Sequence, residues 1–462
     1  MSHLQDKMQQ ELRSKAIFDQ ARTYAYDYID QVAQMPVFPA EESIKNLDKF
    51  EEPLPAETQD AMAVLQQLQQ LGGPAVVAQT AGRYFGFVNG AAVPASLGVK
   101  WLTDVWDQNG GLYLTSPLNA KLEEVCQAWL KDLFGLPDST VAGFVSGTSM
   151  ANLSAIAAAR YRLLANQGWD INEQGLNGAP EIKVYAHEQV HASVKKTLAL
   201  LGFGRQNLIR IPADDQGRII VEELPDLDNS SMVLLQAGNV NTGAYDNFKT
   251  VGELARKAGA WVHIDGAFGL WARATTTLSY LTEGMELADS WAVDGHKTLN
   301  TPYDCGIVLC RDQEALHTAL QATGEYFKYG LGRDPILFGP EMSKRSRAIE
   351  LWATLKYLGK NGVDQMVTGF NDRARQLAAG LAKHGFQMLN EVVFNQVLIA
   401  GRDEAHTQSI LDYVQKSGEL WCGGTTWQGK AAIRISICSW VTDEEDIQRS
   451  LVTFKEAFSA PS

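Results

Sequence analysis

The chain of 462 residues lacks the features that mark several classes of protein. It has no apolar run long enough to span a bilayer, and Met1 to Lys15 contains no apolar core, so we expect neither a membrane span nor a secretion signal. Basic residues are not in excess. The net charge is −14 and the pI is about 5.1, which argues against nucleic acid or an anionic membrane as a partner.

Cysteine is scarce, and internal repeats, low-complexity linkers and charge blocks are absent. The five cysteines are odd in number and lack the spacing of metal ligands, so we expect no metal site. We interpret them as the reduced thiols of a cytoplasmic protein. What remains is an ordinary globular composition with 45% hydrophobic residues, long enough for two or three domains.

The chain divides into three regions by pattern. Residues 1–80 predict a helical arm, with an apolar stripe along Leu4–Val32, a short helix at Ala61–Leu71 and prolines between them. Residues 81–343 alternate strand-like with helix-like runs, which predicts an α/β domain with a mostly parallel sheet covered by helices. Residues 344–462 predict a smaller α+β domain. The predicted strands of the large domain are Val141–Val145, Lys183–Ala186, Ser231–Gln236, Trp261–Asp265, Ser290–Val293 and Gly306–Leu309.

Lys297 is the most informative residue. It lies in the short segment Asp294-Gly295-His296-Lys297-Thr298 between two apolar strand-like runs, an odd place for a solvated charge. Desolvation weakens proton binding by a lysine, and a neutral amine is the nucleophile that carbonyl cofactors require. Taken alone, a His-Lys pair more often marks a solvated loop.

Two segments upstream of Lys297 contain further candidate site residues. Asp265 ends an apolar run and is followed by the small Gly266 and Ala267, so a flat ring can approach the carboxyl edge of a sheet there. Gly147, Thr148 and Ser149 lie between a strand-like and a helix-like run, where backbone N–H groups and hydroxyls can hold a phosphate. An ordinary turn or helix cap is an equally open interpretation of each.

Together, a phosphate site, a carboxylate for a ring nitrogen and a Schiff-base lysine are what pyridoxal 5'-phosphate (PLP) needs. From about Arg83 to Asp446 the sequence resembles the PLP-dependent group II amino-acid decarboxylases, which include aromatic-L-amino-acid and glutamate decarboxylases. The pairs Asp265-x-Ala267 and His296-Lys297, and the segment around His191, match in type, order and spacing. The resemblance implies a fold-type I, aspartate-aminotransferase-like enzyme, and a homodimer in which the N-terminal arm packs on the second subunit.

The resemblance also assigns roles to residues. Lys297 would bond to the cofactor aldehyde, and Asp265 would pair with the protonated ring nitrogen, which keeps the ring an electron acceptor. His191 would stack on one face of the ring, with Ala267 on the other. The phosphate would be bound by Gly147, Thr148, Ser149 and His296.

Two positions depart from the family pattern. Asn239 stands where the family has a threonine near the ring hydroxyl; asparagine can donate a hydrogen bond there, although a turn residue is equally compatible. Asp294 stands where aromatic decarboxylases have an asparagine beside the phosphate. A carboxylate beside a dianion is unfavourable unless it turns away, so we assign Asp294 no phosphate role.

The substrate contacts are predicted less directly. Arg434 lies in an apolar strand, and the resemblance places it near the site, while Arg345 and Arg347 are further candidates for the substrate carboxylate. An aromatic group falls in the segment that lines the family's substrate pocket. As a pocket it favours an aromatic or large apolar amino acid; as an ordinary core it indicates nothing about the substrate. Its members are Tyr84, Phe85, Phe87, Trp106 and Tyr113.

Tyr326, in the segment Gly324 to Gly330, matches the mobile-loop tyrosine with which aromatic-amino-acid decarboxylases protonate Cα. A surface tyrosine, with Tyr329 as the donor instead, is the alternative. The leading interpretation is a carboxy-lyase that converts an L-amino acid to an amine and CO2. An aldehyde-forming oxidative deaminase and an aminotransferase remain open. A cofactor-binding protein without catalysis is disfavoured, because both Lys297 and Asp265 are present.

Overall fold

A seven-stranded sheet forms the centre of the computed structural model, which describes residues 3–321 and 330–460. Its strands are β1 (Val141–Val145), β2 (Lys183–His187), β3 (Leu208–Ile211), β4 (Ser231–Gln236), β5 (Trp261–Asp265), β6 (Ser290–Asp294) and β7 (Gly306–Cys310). The order is β1-β7-β6-β5-β4-β2-β3. Strand β7 runs antiparallel to both of its neighbours, and the other pairs are parallel. The prediction of a mostly parallel sheet is therefore confirmed.

Helices cover both faces of this sheet, which is why its central strands are mostly apolar and buried on both faces rather than alternating. All residues of β1, β4, β5, β6 and β7 are buried. The helices of the chain are α1 (His3–Ser14), α2 (Ala16–Gln31), α3 (Glu41–Lys45), α4 (Ala61–Gln67), α5 (Pro94–Trp106), α6 (Pro117–Phe134), α7 (Thr148–Ala165), α8 (Ile171–Gln174), α9 (Ala192–Leu200), α10 (Phe248–Ala258), α11 (Gln313–Leu320), α12 (Ala348–Lys383), α13 (Glu404–Ser417) and α14 (Glu444–Ser459). In the part of the chain described, no helix has both the length and the apolar character needed to cross a membrane.

A smaller antiparallel sheet lies in the C-terminal region. Its strands are β8 (Gln387–Met388), β9 (Gln396–Ala400), β10 (Gly423–Trp427) and β11 (Lys430–Ser436), in the order β10-β11-β9-β8. Helix α12 leads into this region and is interrupted at Gly359, whose φ of 59° is readily adopted by glycine. The sheet and the helices α13 and α14 form the smaller α+β domain.

The segment around Phe85 also packs against this smaller domain, although it precedes the large sheet in sequence. The Phe85 N–H donates to the Trp421 carbonyl at 2.8 Å, and the Phe85 carbonyl accepts from the Ser436 N–H at 3.0 Å. Phe85 lies in the core of the smaller domain with Phe370 and Ile435. A boundary at residue 81 therefore assigns this segment to the large domain while its contacts lie in the small one.

The parallel strands bring the candidate residues to one edge of the large sheet. Strands β1, β2, β4, β5 and β6 all end there, at the carboxyl edge where α/β sheets bind ligands. Gly306, at the start of β7, allows the turn after β1 to pack closely, since a side chain there would collide with the backbone of Gly147. The site is built at this edge.

Candidate active site

Lys297 follows β6 and is paired rather than simply desolvated. Its Nζ lies 3.1 Å from Oδ2 of Asp294, and its side chain is 21% exposed. The sequence predicts a buried or semi-buried lysine; the side chain is largely buried, and the carboxylate beside its amine was not predicted. The amine of Lys297 is therefore both partly buried and in contact with a carboxylate.

Asp294 faces into the site. It is 2% exposed, and its Oδ1 accepts the N–H of Thr148, the first residue of α7, at 2.7 Å. Its Oδ2 lies 3.5 Å from His296 Nε2. The sequence assigns Asp294 no phosphate role; its carboxylate lies between the first N–H of α7 and the lysine amine, both of which attract negative charge.

His296 is held by the loop that follows it. Its Nδ1 accepts the backbone N–H of Cys305 at 3.0 Å, and its ring stacks on that of Tyr303 with centroids 4.3 Å apart. Burial lowers the pKa of His296, although the charge of Asp294 acts in the opposite direction. A neutral ring that accepts at Nδ1 carries its proton on Nε2, the atom that faces Asp294.

The start of α7 is suited to an anion. The hydroxyl oxygen of Thr148 is buried and has no hydrogen-bond partner among the residues described. A Cβ on Gly147 would lie 3.3 Å from His296 Cε1, so glycine keeps this space open. Ser149 is the second residue of the same helix. A helix N-terminus with an unpaired hydroxyl fits the phosphate of PLP, although Asp294 already accepts the Thr148 N–H.

Asp265, the last residue of β5, is a buried carboxylate that accepts two neutral hydrogen bonds. It is 6% exposed; Oδ2 accepts from Nδ2 of Asn152 at 3.0 Å, and Oδ1 accepts from the N–H of Ala267 at 3.2 Å. Within the described ranges no cationic side chain lies within 4.0 Å of it. Because a buried charge without a cationic partner is costly, this carboxylate suits a positively charged ligand atom such as a protonated pyridine nitrogen.

His191 lies directly before α9 and is fixed by Ser193. Its Nδ1 lies 2.8 Å from the Ser193 hydroxyl and accepts the Ser193 N–H at 3.3 Å. Partial burial of the imidazole ring lowers the pKa of His191, although the residue as a whole is exposed to solvent. The charges of Asp265, Lys297 and Arg434 also act on this pKa, which places the ring among the predicted site residues.

Asn239 and Arg434 each keep donors available. Asn239 closes the turn after β4, where its Oδ1 accepts the N–H of Asn241 at 2.9 Å, while its buried Nδ2 has no partner in the described part of the chain. Arg434, on β11, donates to the Val240 carbonyl at 3.4 Å. Burial lowers the pKa of Arg434, and no carboxylate of the described residues forms an ion pair with it. Both side chains could donate to a ligand.

The other two candidate arginines are already paired. Nε of Arg345 lies 3.2 Å from Asp304 and its Nη1 2.8 Å from Glu350. Arg347 contacts Asp304 at 3.0 Å and Glu341 at 3.2 Å. Because their charges are satisfied within the chain, we withdraw both as ligands of the substrate carboxylate.

The aromatic residues predicted to line the substrate pocket lie in three different parts of the structure. Tyr84 and Phe87 both stack on Trp421, with ring centroids 5.4 Å apart in each pair. Phe85 is 1% exposed in the core of the smaller domain, so its side chain serves packing and we withdraw it as a substrate contact. Trp106 lies 46% exposed at the end of α5, in a separate cleft that Arg345 also lines. Tyr84, Phe87 and Trp421 are hereafter the aromatic wall.

Tyr326 lies outside the described residues, so its predicted role stays a prediction from sequence. Several residues at the site were not predicted. They are Asn152, His263, Asn300, Tyr303 and Trp421. For His263 a signal was available, because Trp261, His263 and Asp265 alternate along one strand and so share a face. Within residues 3–321 and 330–460, no group of His, Cys, Asp or Glu is arranged to hold a metal ion.

Sequence comparisons show related proteins. A model of the pyridoxal-dependent decarboxylase conserved domain matches residues 44–400, more than half of the chain. The sequence is 34% identical over 268 residues to an aromatic-L-amino-acid decarboxylase of Bacillus atrophaeus, a match that spans 55% of this chain and only 54% of that protein. It is 23% identical over 461 residues to tyrosine decarboxylase 2 of Narcissus pseudonarcissus, which covers 93% and 91% of the two chains. It is 24% identical over 380 residues to phenylacetaldehyde synthase of Arabidopsis thaliana, 76% of each chain.

Solved structures share the fold. Oryza sativa TDC with PLP and tryptamine superposes with a TM-score of 0.87 at 20% identity, over 97% of this chain and 98% of that one. Mouse CSAD in apo form gives a TM-score of 0.88 at 20% identity, over 96% and 99%. At this identity the superposition demonstrates a common fold.

Proposed function

Because this chain belongs to the pyridoxal-dependent decarboxylase family, we propose that it removes the α-carboxylate of an L-amino acid as CO2 and releases the amine. The observation that carries this proposal is that Lys297, the Asp265 carboxylate without a cationic partner in the described residues, and the unpaired Thr148 hydroxyl at the start of α7 lie at one edge of the sheet. PLP supplies an electron-accepting ring to which the substrate amine can be joined.

Each of these residues has a defined task in the proposal. Lys297 would hold the cofactor covalently through Nζ. Asp265 would hold a proton on the ring nitrogen and so keep the bound ring an acceptor of negative charge. His191 and Ala267 enclose the ring, and the start of α7 with His296 binds the phosphate.

We propose an aromatic or large apolar amino acid as the substrate. Arg434 would bind its carboxylate, since the side chain is only partly buried and lacks an anionic partner in the described residues. The aromatic wall supports an apolar side chain. Measuring CO2 release from each of the twenty amino acids tests this, with highest kcat/KM expected for tyrosine, tryptophan or phenylalanine. Release confined to acidic or basic amino acids would overturn this choice of substrate.

The aldehyde-forming reaction is the second candidate, and it is favoured by the similarity to phenylacetaldehyde synthase. Its products are CO2, aldehyde, ammonia and hydrogen peroxide, and it consumes one O2 per turnover. We expect amine in a one-to-one ratio with CO2 and no oxygen uptake, measured by chromatography and an oxygen electrode. Stoichiometric oxygen uptake would establish the second candidate instead, and keto-acid exchange without CO2 would indicate an aminotransferase.

Asp294 is expected to weaken cofactor binding. Its carboxylate accepts the Thr148 N–H that a phosphate would otherwise use, and it places like charge beside the phosphate dianion. We expect Asp294→Asn to lower the dissociation constant of PLP by about ten-fold, equivalent to about 1.4 kcal/mol, measured by titrating cofactor-free protein and following its fluorescence. Pyridoxal, which lacks the phosphate, is the control ligand and should show a smaller change. Unchanged or weaker PLP binding would contradict this role.

We propose that the active unit is a homodimer formed through the N-terminal arm. Helices α1 and α2 have no buried residue, and α1 exposes an apolar face with Leu4 45%, Met8 53% and Leu12 63% exposed. These residues are four positions apart and lie on one side of the helix, where a second copy would cover them. A cytoplasmic location, expected from the cysteines, stays a prediction.

Light scattering should therefore give about twice the chain mass of 50.7 kDa. Replacing both Met8 and Leu12 by aspartate should shift the protein toward monomer, because two charges would be buried at the contact. Gln10→Asp, on the opposite side of α1, is the matched control and should leave the dimer intact. A fully active monomer in the unmodified protein would refute the homodimer.

A further inference from the structure

A chain of buried hydrogen bonds ends at Asp265. Trp261, His263 and Asp265 alternate along β5, so their side chains lie on the same face of the sheet. Helix α7 packs on this strand and contributes Asn152, and the first residue of β6 contributes Ser290. None of the five side chains is more than 6% exposed.

Each link has normal hydrogen-bond geometry. Trp261 Nε1 donates to the Ser290 hydroxyl at 3.0 Å, and that hydroxyl lies 2.9 Å from Nδ1 of His263. Nε2 of His263 lies 2.9 Å from Oδ1 of Asn152, and Nδ2 of Asn152 donates to Oδ2 of Asp265 at 3.0 Å. The four bonds connect the two ends of β5 through neighbouring elements.

Trp261, at the far end of this series of hydrogen bonds, determines which group donates in each bond. An indole N–H can only donate, so the Ser290 oxygen accepts from Trp261 and its hydrogen is free to donate to Nδ1 of His263. The neutral imidazole then donates from Nε2 to the Asn152 oxygen, which turns the Asn152 amide N–H toward Asp265. The opposite direction would leave the buried Ser290 hydrogen without an acceptor among the described residues and would require a protonated Asp265.

We propose that Asn152, oriented by His263, Ser290 and Trp261, is a positioning residue that presents Asp265 as a carboxylate to the ring nitrogen of the cofactor. This inference rests on the proposed function. The N–H of Ala267 holds the other oxygen of Asp265, so the rotation of the carboxylate is fixed from two sides. Burial lowers the pKa of His263 to about 4, so that near neutral pH its ring carries the single N–H that the chain requires.

The test uses the holoenzyme and PLP labelled with 15N in the ring. Asn152→Leu keeps a similar branched shape and removes both hydrogen bonds. In the unmodified protein we expect the 15N shift of a protonated pyridine. In Asn152→Leu we expect a displacement toward the neutral value, with kcat lowered about ten-fold and KM changed less than about two-fold. Ser290→Ala removes the hydroxyl that orients His263 and that accepts the Trp261 N–H, leaves Asn152 in place, and should displace the signal in the same direction by a smaller amount.

Ser154→Ala is the matched control, because Ser154 is buried on the same helix and its hydroxyl donates only to the Met150 carbonyl of that helix. It should leave the 15N signal and kcat unchanged. The inference is overturned if Asn152→Leu and Ser290→Ala both carry PLP on Lys297 and retain the unmodified 15N shift. Where Asn152→Leu does not fold, Ser290→Ala decides alone. Absence of a PLP–Lys297 bond in the unmodified protein would overturn the proposed function as well, so the two failures are distinguishable.

Discussion

Lys297→Ala is expected to lose at least about a thousand-fold in turnover, the largest effect of any single substitution in this chain. The alanine removes the only atom that can bond covalently to the cofactor in the proposed reaction, and it also removes the partner of Asp294. The unmodified protein should be yellow, and borohydride should fix the cofactor to it irreversibly. Peptide mapping after reduction should find the cofactor on Lys297, and the alanine variant should carry none.

Lys297→Arg separates the two effects of that substitution. Arginine retains a positive charge near Asp294 but does not form the covalent bond, because its guanidinium stays protonated. We expect this variant to fold normally and to be as inactive as the alanine variant. Lys257→Ala, an exposed lysine at the end of α10, should behave like the unmodified protein. Substantial turnover in Lys297→Arg, or cofactor attached to another lysine, would refute the assignment of the site.

The large sheet could be predicted from sequence because its central strands are buried on both faces. The runs Val141–Val145, Ser231–Gln236 and Trp261–Asp265 are mostly apolar, and the observed strands have the same bounds. Strand β3 was missed because it is a short edge strand in which Ile209 and Arg210 are exposed, so it lacks such a run. Helix α6 was missed although Ser116 and Pro117 are ordinary helix-start signals.

Site residues could be predicted from the sequence only where the side chain alone indicates the chemistry. A lysine after a strand and a carboxylate at the end of another indicate their chemistry without knowledge of their neighbours. Whether a charge is already satisfied depends on partners far away in sequence. Asp304, which pairs with both Arg345 and Arg347, lies in a different loop, and local spacing gives no sign of it. For the same reason the contact between Asn152 and His263 could not be anticipated.

Asp265→Asn is expected to lower turnover by about a hundred-fold or more while PLP still binds to Lys297. An amide can accept or donate one neutral hydrogen bond, but it cannot balance the charge of a protonated ring nitrogen. The ring would then accept electrons poorly when the carboxylate leaves, a loss of preorganised charge in the transition state. The substitution conserves size, but the single amide oxygen can accept only one of the two hydrogen bonds that Asn152 and Ala267 now donate, so the change removes the charge together with one of these bonds.

Two comparisons make the Asp265 result specific. Asp265→Glu keeps the charge and should retain more turnover than Asp265→Asn, despite the extra methylene. Asp289→Asn makes the same change at the opposite edge of the sheet, where the carboxylate accepts the Val262 N–H, and it should leave turnover within about two-fold. Steady-state kinetics and borohydride trapping on all three variants distinguish lost chemistry from lost cofactor. Asp265, the last residue of β5, is the group proposed to hold the proton on the ring nitrogen. Near-normal turnover in Asp265→Asn would mean that another group holds this proton.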